Sequence, residues 1–385
     1  MKVIFGTDAI KFPLTGIGRY VFELANHLAG SPEISELVYL RGNTLSTHVP
    51  IAKEAHSSAE GIKHFLKKNR LASEFYRITA PWFKTNVLRK HKDAIYHGPN
   101  FYLPPKVGRC VVTFHDLSVF TLPQCHPPER VRYMRKELLQ TVRRAEIFLT
   151  DSDFTRSELI NYFNLPESQV YTAKLACSRD YRPYSAFEAT ETLRKYNLSF
   201  KNYTLFTGSI EPRKNISTLL TAYNCLPLSL RQRVPLVISG FKGWNSDDLH
   251  KRFMKGEREG WLRYLGFTPY ADLPALYAGA TTFIFPSIYE GFGLPVLEAM
   301  ASGTPVVCSN SSSLPEVVGD VALMCDALDV ETLTTLIIKS LEDDPWRLWA
   351  GEHGIQRASQ FSWERCASET ITAYKPVSYT HLRAH

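Results

Sequence analysis

The sequence predicts an α/β protein built as two domains, each a doubly wound parallel sheet, facing each other across a cleft. Three observations predict it. The chain has 385 residues, whereas a single hydrophobic core tends to stop growing near ~250 to 300 residues. Short β-branched or aromatic runs alternate with longer amphipathic stretches along most of it, the pattern of parallel strands joined by crossover helices. The composition, 44% hydrophobic and 22% charged with 21 Gly and 23 Pro, is that of an ordinary globular chain rather than a disordered or fibrous one.

In chain order, strands are expected at Val3–Thr7, Leu37–Leu40, Ala94–His97, Cys110–Phe114, Ile147–Asp151 and Val170–Leu175. Between the first two, Gly18–Leu28 places Val21, Leu24, Ala25 and Leu28 at the i, i+3, i+4, i+7 spacing of one buried helical face. Asp151-Ser152-Asp153 offers N-caps to a helix running to about Phe163. A stretch of mixed polarity containing Pro183, Ser178 to Thr190, reads as the linker between a first domain over 1–185 and a second over 190–360. The second set has strands at Tyr203–Thr207, Leu236–Ser239, Arg263–Phe267, Thr281–Pro286 and Thr304–Ser309, with helices near Asn215–Cys225, Leu273–Ala280 and Pro295–Ala301. Residues 361–385 read as a terminal helix from Trp363 to about Tyr374, then a tail, Val377–His385, with no amphipathic pattern, read as a truncated or foreign end.

The excess of 45 Lys and Arg over 38 Asp and Glu leaves a net charge of +7, which suits nucleotide diphosphates or an anionic membrane surface and is too small to indicate nucleic acid. Seven scattered cysteines without a C-x-x-C pair indicate neither a disulfide framework nor a zinc cage, so a reducing, cytoplasmic location is expected. The amino terminus has no signal-peptide pattern, and no apolar run reaches the ~18 to 20 residues of a membrane span.

The densest chemical signal runs from Phe285 to Pro305, FPSIYEGFGLPVLEAMASGTP. A buried strand delivers a Gly-rich turn, Pro295 is expected at the first helical position where its missing N–H costs nothing, and Gly303 ends the helix. The amides of the turn then sit at a helix N-terminus, where orphan N–H groups and the macrodipole attract phosphate or sugar oxygens. Glu290 precedes the turn and Glu298 is expected in the first helical turn, so one unit offers two carboxylates to vicinal hydroxyls of an extended ligand. Taken singly, a Glu in a first helical turn is usually only a surface residue complementing the dipole.

A second signal, Phe206 to Asn215 (FTGSIEPRKN), puts Arg213 and Lys214 after a strand and a small-residue turn. A departing diphosphate needs its charge neutralised, and a planar fork beside a point charge does this without metal. Weaker features accompany them. Gly16-Ile17-Gly18-Arg19 is a G-x-G between first strand and first helix, in itself no more than a tight turn. His115 and Asp116 follow an apolar strand at its carboxyl end, and His97 and Asn100 end the strand before it. Between Ile62 and Lys92, nine Lys or Arg (Lys63, Lys67, Lys68, Arg70, Arg77, Lys84, Arg89, Lys90, Lys92) are interleaved with aromatic residues. A membrane-surface contact and a solvated helical face account equally for that stretch.

On these motifs the chain resembles the large retaining glycosyltransferase family of the two-Rossmann-domain, GT-B, type (family 4), with the E-x7-E signature at Glu290 and Glu298, strongest from Gly208 to Pro305. The resemblance implies that Glu298 holds the nucleotide ribose, and that Glu290 with the amides of Phe292, Gly293 and Leu294 holds the donor sugar and diphosphate. It implies that Arg213 and Lys214 clamp the diphosphate. Many members carry Arg directly after the glycine where this chain has Ser209, so Arg213 has to replace that contact. It further implies that Gly16 and Gly18 approach the donor phosphates and that His115 orients a sugar hydroxyl, with Asp116, His97, Asn100 and Arg19 on the acceptor or sugar side. Transfer with retention and without a metal ion or other cofactor is expected. The run from Gly6 to Tyr20 resembles bacterial mannosyltransferases that build O-antigen or other surface polysaccharide on a lipid carrier. That implies GDP-mannose as donor, with GDP-rhamnose or a UDP- or dTDP-sugar as competitors, a glycan or lipid-linked acceptor, and a cytoplasmic place at the inner face of the membrane. Two rival readings are a nucleotide-sugar 2-epimerase of the same shape, which the E-x7-E string disfavours, and a non-catalytic sugar-nucleotide binding protein.

Overall fold

The computed structural model describes residues 1–12, 14, 16–51, 83–105, 108–244 and 246–379. The chain divides into two compact units, one made of Met1–Leu117, Glu129–Leu175 and Trp363–His385, the other of Ser118–Pro128 and Ala176–Ser362.

The first unit holds a seven-stranded sheet in the order β3-β2-β1-β4-β5-β6-β7. Its strands are β1 (Lys2–Gly6), β2 (Glu36–Arg41), β3 (Thr44–Ser46), β4 (Ile95–Gly98), β5 (Cys110–Phe114), β6 (Ile147–Thr150) and β7 (Val170–Thr172). Every pairing is parallel except the β2–β3 hairpin. β4, β5 and β6 are buried throughout, which is why they read as unbroken apolar runs rather than alternating ones. The order reverses between β1 and β4, the place where an open parallel sheet leaves a crevice beyond its carboxyl ends. The helix Gly16–Leu28 buries Val21, Leu24, Ala25 and Leu28, the predicted face, and begins two residues before its expected start, so Gly16 and Gly18 lie in its first turn. Ser152 caps the helix Asp153–Phe163 by accepting from the Thr155 N–H at 3.0 Å.

The second unit holds a six-stranded, fully parallel sheet in the order β10-β9-β8-β11-β12-β13. Its strands are β8 (Thr204–Thr207), β9 (Leu236–Ser239), β10 (Leu262–Gly266), β11 (Thr282–Phe285), β12 (Val306–Ser309) and β13 (Leu323–Cys325). Here the reversal falls between β8 and β11. Stacked Phe206 and Phe285 rings, 5.8 Å apart, fill the core at that point.

Three features depart from the expectations. The stretch read as linker ends in a helix, Ala186–Lys195, opened by a full capping box between Ser185 and Glu188. Ser118–Pro128, from the first half of the sequence, packs with the second unit, where the Trp244 indole donates to the Cys125 carbonyl at 2.6 Å. The terminal helix runs Trp363–Tyr379, with Val377 buried, so the doubtful tail begins as part of that helix; residues 380–385 lie outside the described residues. Among the described residues no helix is long and apolar enough to cross a membrane.

Candidate functional site

Two turns flanking the reversal of the second sheet build the site. After β8 the chain passes through Gly208 (φ 146°) and Ser209, then a single 3-10 turn over Pro212–Lys214 that ends on Asn215 in the left-handed region. Gly240, after β9, lies so close that a Cβ there would stand 1.8 Å from the Gly208 carbonyl oxygen, so glycine is required for the two turns to nest. After β11, Pro286 to Gly293 form the second turn. Asn215 joins the two by donating from Nδ2 to the Pro286 carbonyl at 3.0 Å, and Ile288 N–H reaches the Arg213 carbonyl at 3.0 Å.

This stitching brings Arg213, Lys214 and Glu290 into direct contact. Arg213 Nη1 donates to Glu290 Oε2 at 2.9 Å and to the Tyr289 carbonyl at 2.6 Å, while Nη2 donates to Glu211 Oε1 at 2.8 Å. Lys214 Nζ donates to Glu290 Oε1 at 2.7 Å and lies 4.9 Å above the centroid of the Phe285 ring. The two cations thus face two carboxylates, Glu211 and Glu290, and the cluster is formally neutral. Burial would raise the Glu290 carboxyl, but Arg213 and Lys214 outweigh it and hold the pKa at about 2. Burial pushes the Lys214 ammonium below its usual value despite the Glu290 partner, with the Arg213 charge adding to the push. Glu211, a partner of the clamp, carries no signal of its own in the sequence except its place two residues before Arg213.

The backbone of Glu290 is fixed as well. Its N–H donates to Ser312 Oγ at 2.8 Å, and Ser313 Oγ donates to the carbonyls of Glu290 and Phe292 at 2.9 and 2.7 Å. Gly293 (φ 116°) caps the helix Leu294–Ala301, and a Cβ there would meet Leu314 at 2.7 Å. The amides of Phe292, Gly293 and Leu294 have no hydrogen-bond partner among the described residues, so this helix start presents donors to an anion. Glu298 stands in the second turn of that helix, not the first, because the helix begins at Leu294. It is half-buried and hydrogen-bonds Tyr277, whose hydroxyl also meets Thr207 at the end of β8. Ser209 lies half-buried in the turn after Gly208.

In the first unit, His115 follows β5 with both ring nitrogens engaged: Nδ1 with Asp151 Oδ2 at 2.7 Å and Nε2 with the Pro99 carbonyl at 3.0 Å. Asp116, next to it in sequence, and Asn100, just beyond β4, are half-buried. His97 is wholly buried between the Tyr374 hydroxyl at 2.7 Å and Thr113 Oγ1 at 2.9 Å, and Thr113 in turn meets the Tyr20 hydroxyl. Burial, helped by His115, drives its pKa down to about 3. Gly16 is exposed, Gly18 is buried and Arg19 is half-buried on the first turn of their helix. Of the basic stretch, Lys63, Lys67, Lys68, Arg70 and Arg77 lie outside the described residues. Lys84 pairs with Asp8, while Arg89, Lys90 and Lys92 are exposed.

The chain is similar to known proteins along most of its length. The family model "Glycosyl transferases group 1" matches residues 189–357, which span the clamp and both glutamates. The chain is 51% identical over 380 residues, 97% of its length and the whole of the relative, to O-antigen chain mannosyltransferase B of Escherichia coli. It is 34% identical over 64% of its length to the serotype-specific mannosyltransferase WbdA of the same species, of which it covers 31%. Its backbone matches the crystal structure of WaaG, a glycosyltransferase of lipopolysaccharide biosynthesis, with a TM-score of 0.70 over 96% of this chain and 98% of that one at 16% identity, which shows a shared GT-B fold. An ion-paired clamp at the sheet reversal, a donor-rich helix start and full-length similarity to such a relative lead to one conclusion: the chain belongs to the group 1 family of glycosyl transferases.

Proposed function

We propose that this glycosyltransferase moves a mannosyl residue from GDP-mannose, with retention of configuration, onto a lipid-linked glycan during surface polysaccharide synthesis. The observation that carries the reading is the Glu290 carboxylate bridged by Arg213 and Lys214 at the carboxyl ends of β8 and β11. The full-length likeness to an O-antigen chain mannosyltransferase supports mannose over its competitors.

A nucleotide-sugar diphosphate brings negative charge to a cluster that is neutral without it. Lys214, disfavoured as a cation by burial, gains from the arriving anion, and the Arg213 fork can turn a donor pair toward it. The amides of Phe292, Gly293 and Leu294 supply fixed dipoles that need no reorganisation when the leaving group gathers charge. Glu290, released from part of its ion pair, accepts from hydroxyls of the sugar, and Glu298 from those of the ribose. The glycosidic bond loosens first, and the acceptor hydroxyl attacks from the same face beside the departing phosphate.

The test is a donor screen with lipid-linked acceptor, reading which nucleoside diphosphate is released and the anomeric configuration of the product. GDP release from GDP-mannose with an α product is expected; preferred turnover of a UDP- or dTDP-sugar overturns the mannose assignment, and inversion overturns the mechanism. With the leaving charge met by side chains and amides, transfer continues in EDTA. Loss of activity in EDTA that manganese restores would count against the metal-free clamp. We place the reaction at the cytoplasmic face of the membrane, with residues 62–92 touching the lipid surface. Anionic vesicles that still bind the protein equally well after charge reversal at Lys67, Lys68, Arg89 and Lys90 remove that contact.

A further inference from the structure

The register of the first sheet places a second pair of chemical groups together. Phe114 of β5 is aligned with Thr150 of β6, so the residues one step beyond the ladder, His115 and Asp151, emerge side by side at the carboxyl end of the sheet. Their side chains meet at 2.7 Å, His115 Nδ1 to Asp151 Oδ2, with both residues buried. The other ring nitrogen, Nε2, lies 3.0 Å from the Pro99 carbonyl. A carbonyl oxygen only accepts, so Nε2 carries a proton. A second proton lies between Nδ1 and the carboxylate, whichever of the two owns it. The pair therefore holds one proton more than a neutral histidine and an ionised aspartate hold apart.

We propose that Asp151 is the positioning residue for His115, fixing its ring with Nε2–H directed outward along the Pro99 carbonyl so that a sugar hydroxyl taking over that proton meets a charge-assisted donor. This rests on the reading of His115 as the group set against the donor sugar. A hydrogen bond from an ionised donor is roughly twice as strong as a neutral one, and an acid behind the ring is the usual means of fixing tautomer and orientation. The surroundings restrict the ring further: Tyr20 from the helix Gly16–Leu28 and Phe101 each meet it edge-on, at 5.0 and 5.2 Å. Among the described residues, the ionisable groups that face the pair are Asp116 beside it, His97 from β4, Tyr20 from the helix Gly16–Leu28 and Cys366 from the terminal helix. Burial disfavours the imidazolium, but Asp151, the Pro99 carbonyl and Asp116 reverse that and raise the His115 pKa; burial also raises that of Asp151 against the opposing pull of His115. Both directions favour retention of the shared proton.

Stability alone does not account for the pair. Asp151 Oδ1 is buried and has no hydrogen-bond partner among the described residues, so the carboxylate is held with half its acceptor capacity unspent. Replacing a buried ion pair by packed apolar groups is often neutral or stabilising.

Histidine-labelled protein, with the His115 signal assigned by its loss in His115→Gln, tests this in two arms. The first reads the ring nitrogens by NMR against pH. In the wild type both are expected to bear protons at pH 7.5, and in Asp151→Asn only Nε2, with a titration midpoint lower by at least about one pH unit. A singly protonated wild-type ring at that pH overturns the charge-assisted donor whatever the reaction is. The second arm reads transfer. Asp151→Asn is expected to lower kcat on the order of 10- to 100-fold, as loss of an orienting partner does elsewhere, with donor KM within about twofold and the alkaline limb of the pH profile moved to lower pH. Asp151→Glu should restore part of that limb, and it keeps the test open if the Asn variant folds poorly. Unchanged kcat and an unmoved limb in folded Asp151→Asn overturn the positioning role. Full transfer by His115→Ala, with the NMR arm as expected, overturns the underlying reading of His115 and so separates the two failures.

Discussion

At the scale of single residues, the clamp is governed by charge balance. Arg213 and Lys214 are held beside Glu290, with Glu211 completing the count, so removing one charge leaves buried ions uncompensated. Glu290→Gln is expected to cost about 3 to 5 kcal/mol of stability and to lower kcat on the order of 10²- to 10³-fold, measured by thermal unfolding and by rates of transfer. Arg213→Lys is not conservative: the guanidinium spans Glu211, Glu290 and the Tyr289 carbonyl at once, which a point charge cannot do. His97 makes a separate prediction. Its folded pKa of about 3 lies below its unfolded value, so its neutral ring contributes in full above that unfolded value and the contribution is lost as pH falls toward 3. From an unfolded pKa near 6.5, the loss reaches about 2 kcal/mol by pH 5. The His115–Asp151 pair acts with the opposite sign: raised pKa values mean that its contribution is lost as pH rises through the folded values. Denaturant unfolding between pH 5 and 8 should therefore show an acid slope that His97→Gln removes and an alkaline decline that it leaves. That Arg213, Lys214 and Glu290 gather in one place was legible in the sequence because cations and a carboxylate stand in turns that directly follow apolar strands. His97 and Asp151 were not distinguishable that way: His97 at the end of β4 and His115 just after β5 look alike in sequence, and only the register β5 to β6 reveals the partner of His115.

At the scale of elements, the positions of the turns depend on what can approach what. Strands buried on both faces announced themselves as apolar runs, but β7 ends at Thr172, three residues before the expected Leu175, because the apolar Ala173 and Leu175 continued the run beyond the last ladder pair. The helix Ala186–Lys195 was missed although Ser185-x-x-Glu188 is a capping signature, because Pro183 and mixed polarity immediately before it favoured a linker. The short strands β3 and β13 left no signal, being three residues each. What no local pattern could show is the nesting of the β8 and β9 turns. Gly240→Ala places a Cβ against backbone, the Gly208 carbonyl, where no rotamer can relieve it. It should cost about 3 kcal/mol or more of stability and weaken donor binding together with it, since Gly208 and Ser209 lead into the clamp. Gly30→Ala, with open space around the added carbon, is the control expected to stay within about 0.5 kcal/mol of the wild type.

At the scale of the whole molecule, the chain passes between its two units at Leu117, Pro128, Leu175 and Ser362, so neither unit is a continuous piece of sequence. The second unit owns every residue of the clamp and the helix start, and it also owns Ser118–Pro128, held through Trp244 and Cys125. The first unit owns the terminal helix, which buries Cys366, Ala373 and Tyr374 and supplies the hydroxyl bound to His97. A ligand that binds one folded unit stabilises that unit by mass action, by about 2.7 kcal/mol at 100 times its Kd. For a unit of roughly 150 to 250 residues each kcal/mol raises Tm by about 2 to 4 °C. Calorimetry with GDP should accordingly raise one unfolding transition by about 5 to 10 °C and leave the other where it was. Ending the chain at Ser362 removes the helix from the first unit only, so the transition that ignores GDP should disappear while the GDP-responsive one survives. If truncation abolished the GDP-responsive transition instead, nucleotide binding would depend on the first unit, and the clamp on the second sheet would not suffice to hold the diphosphate.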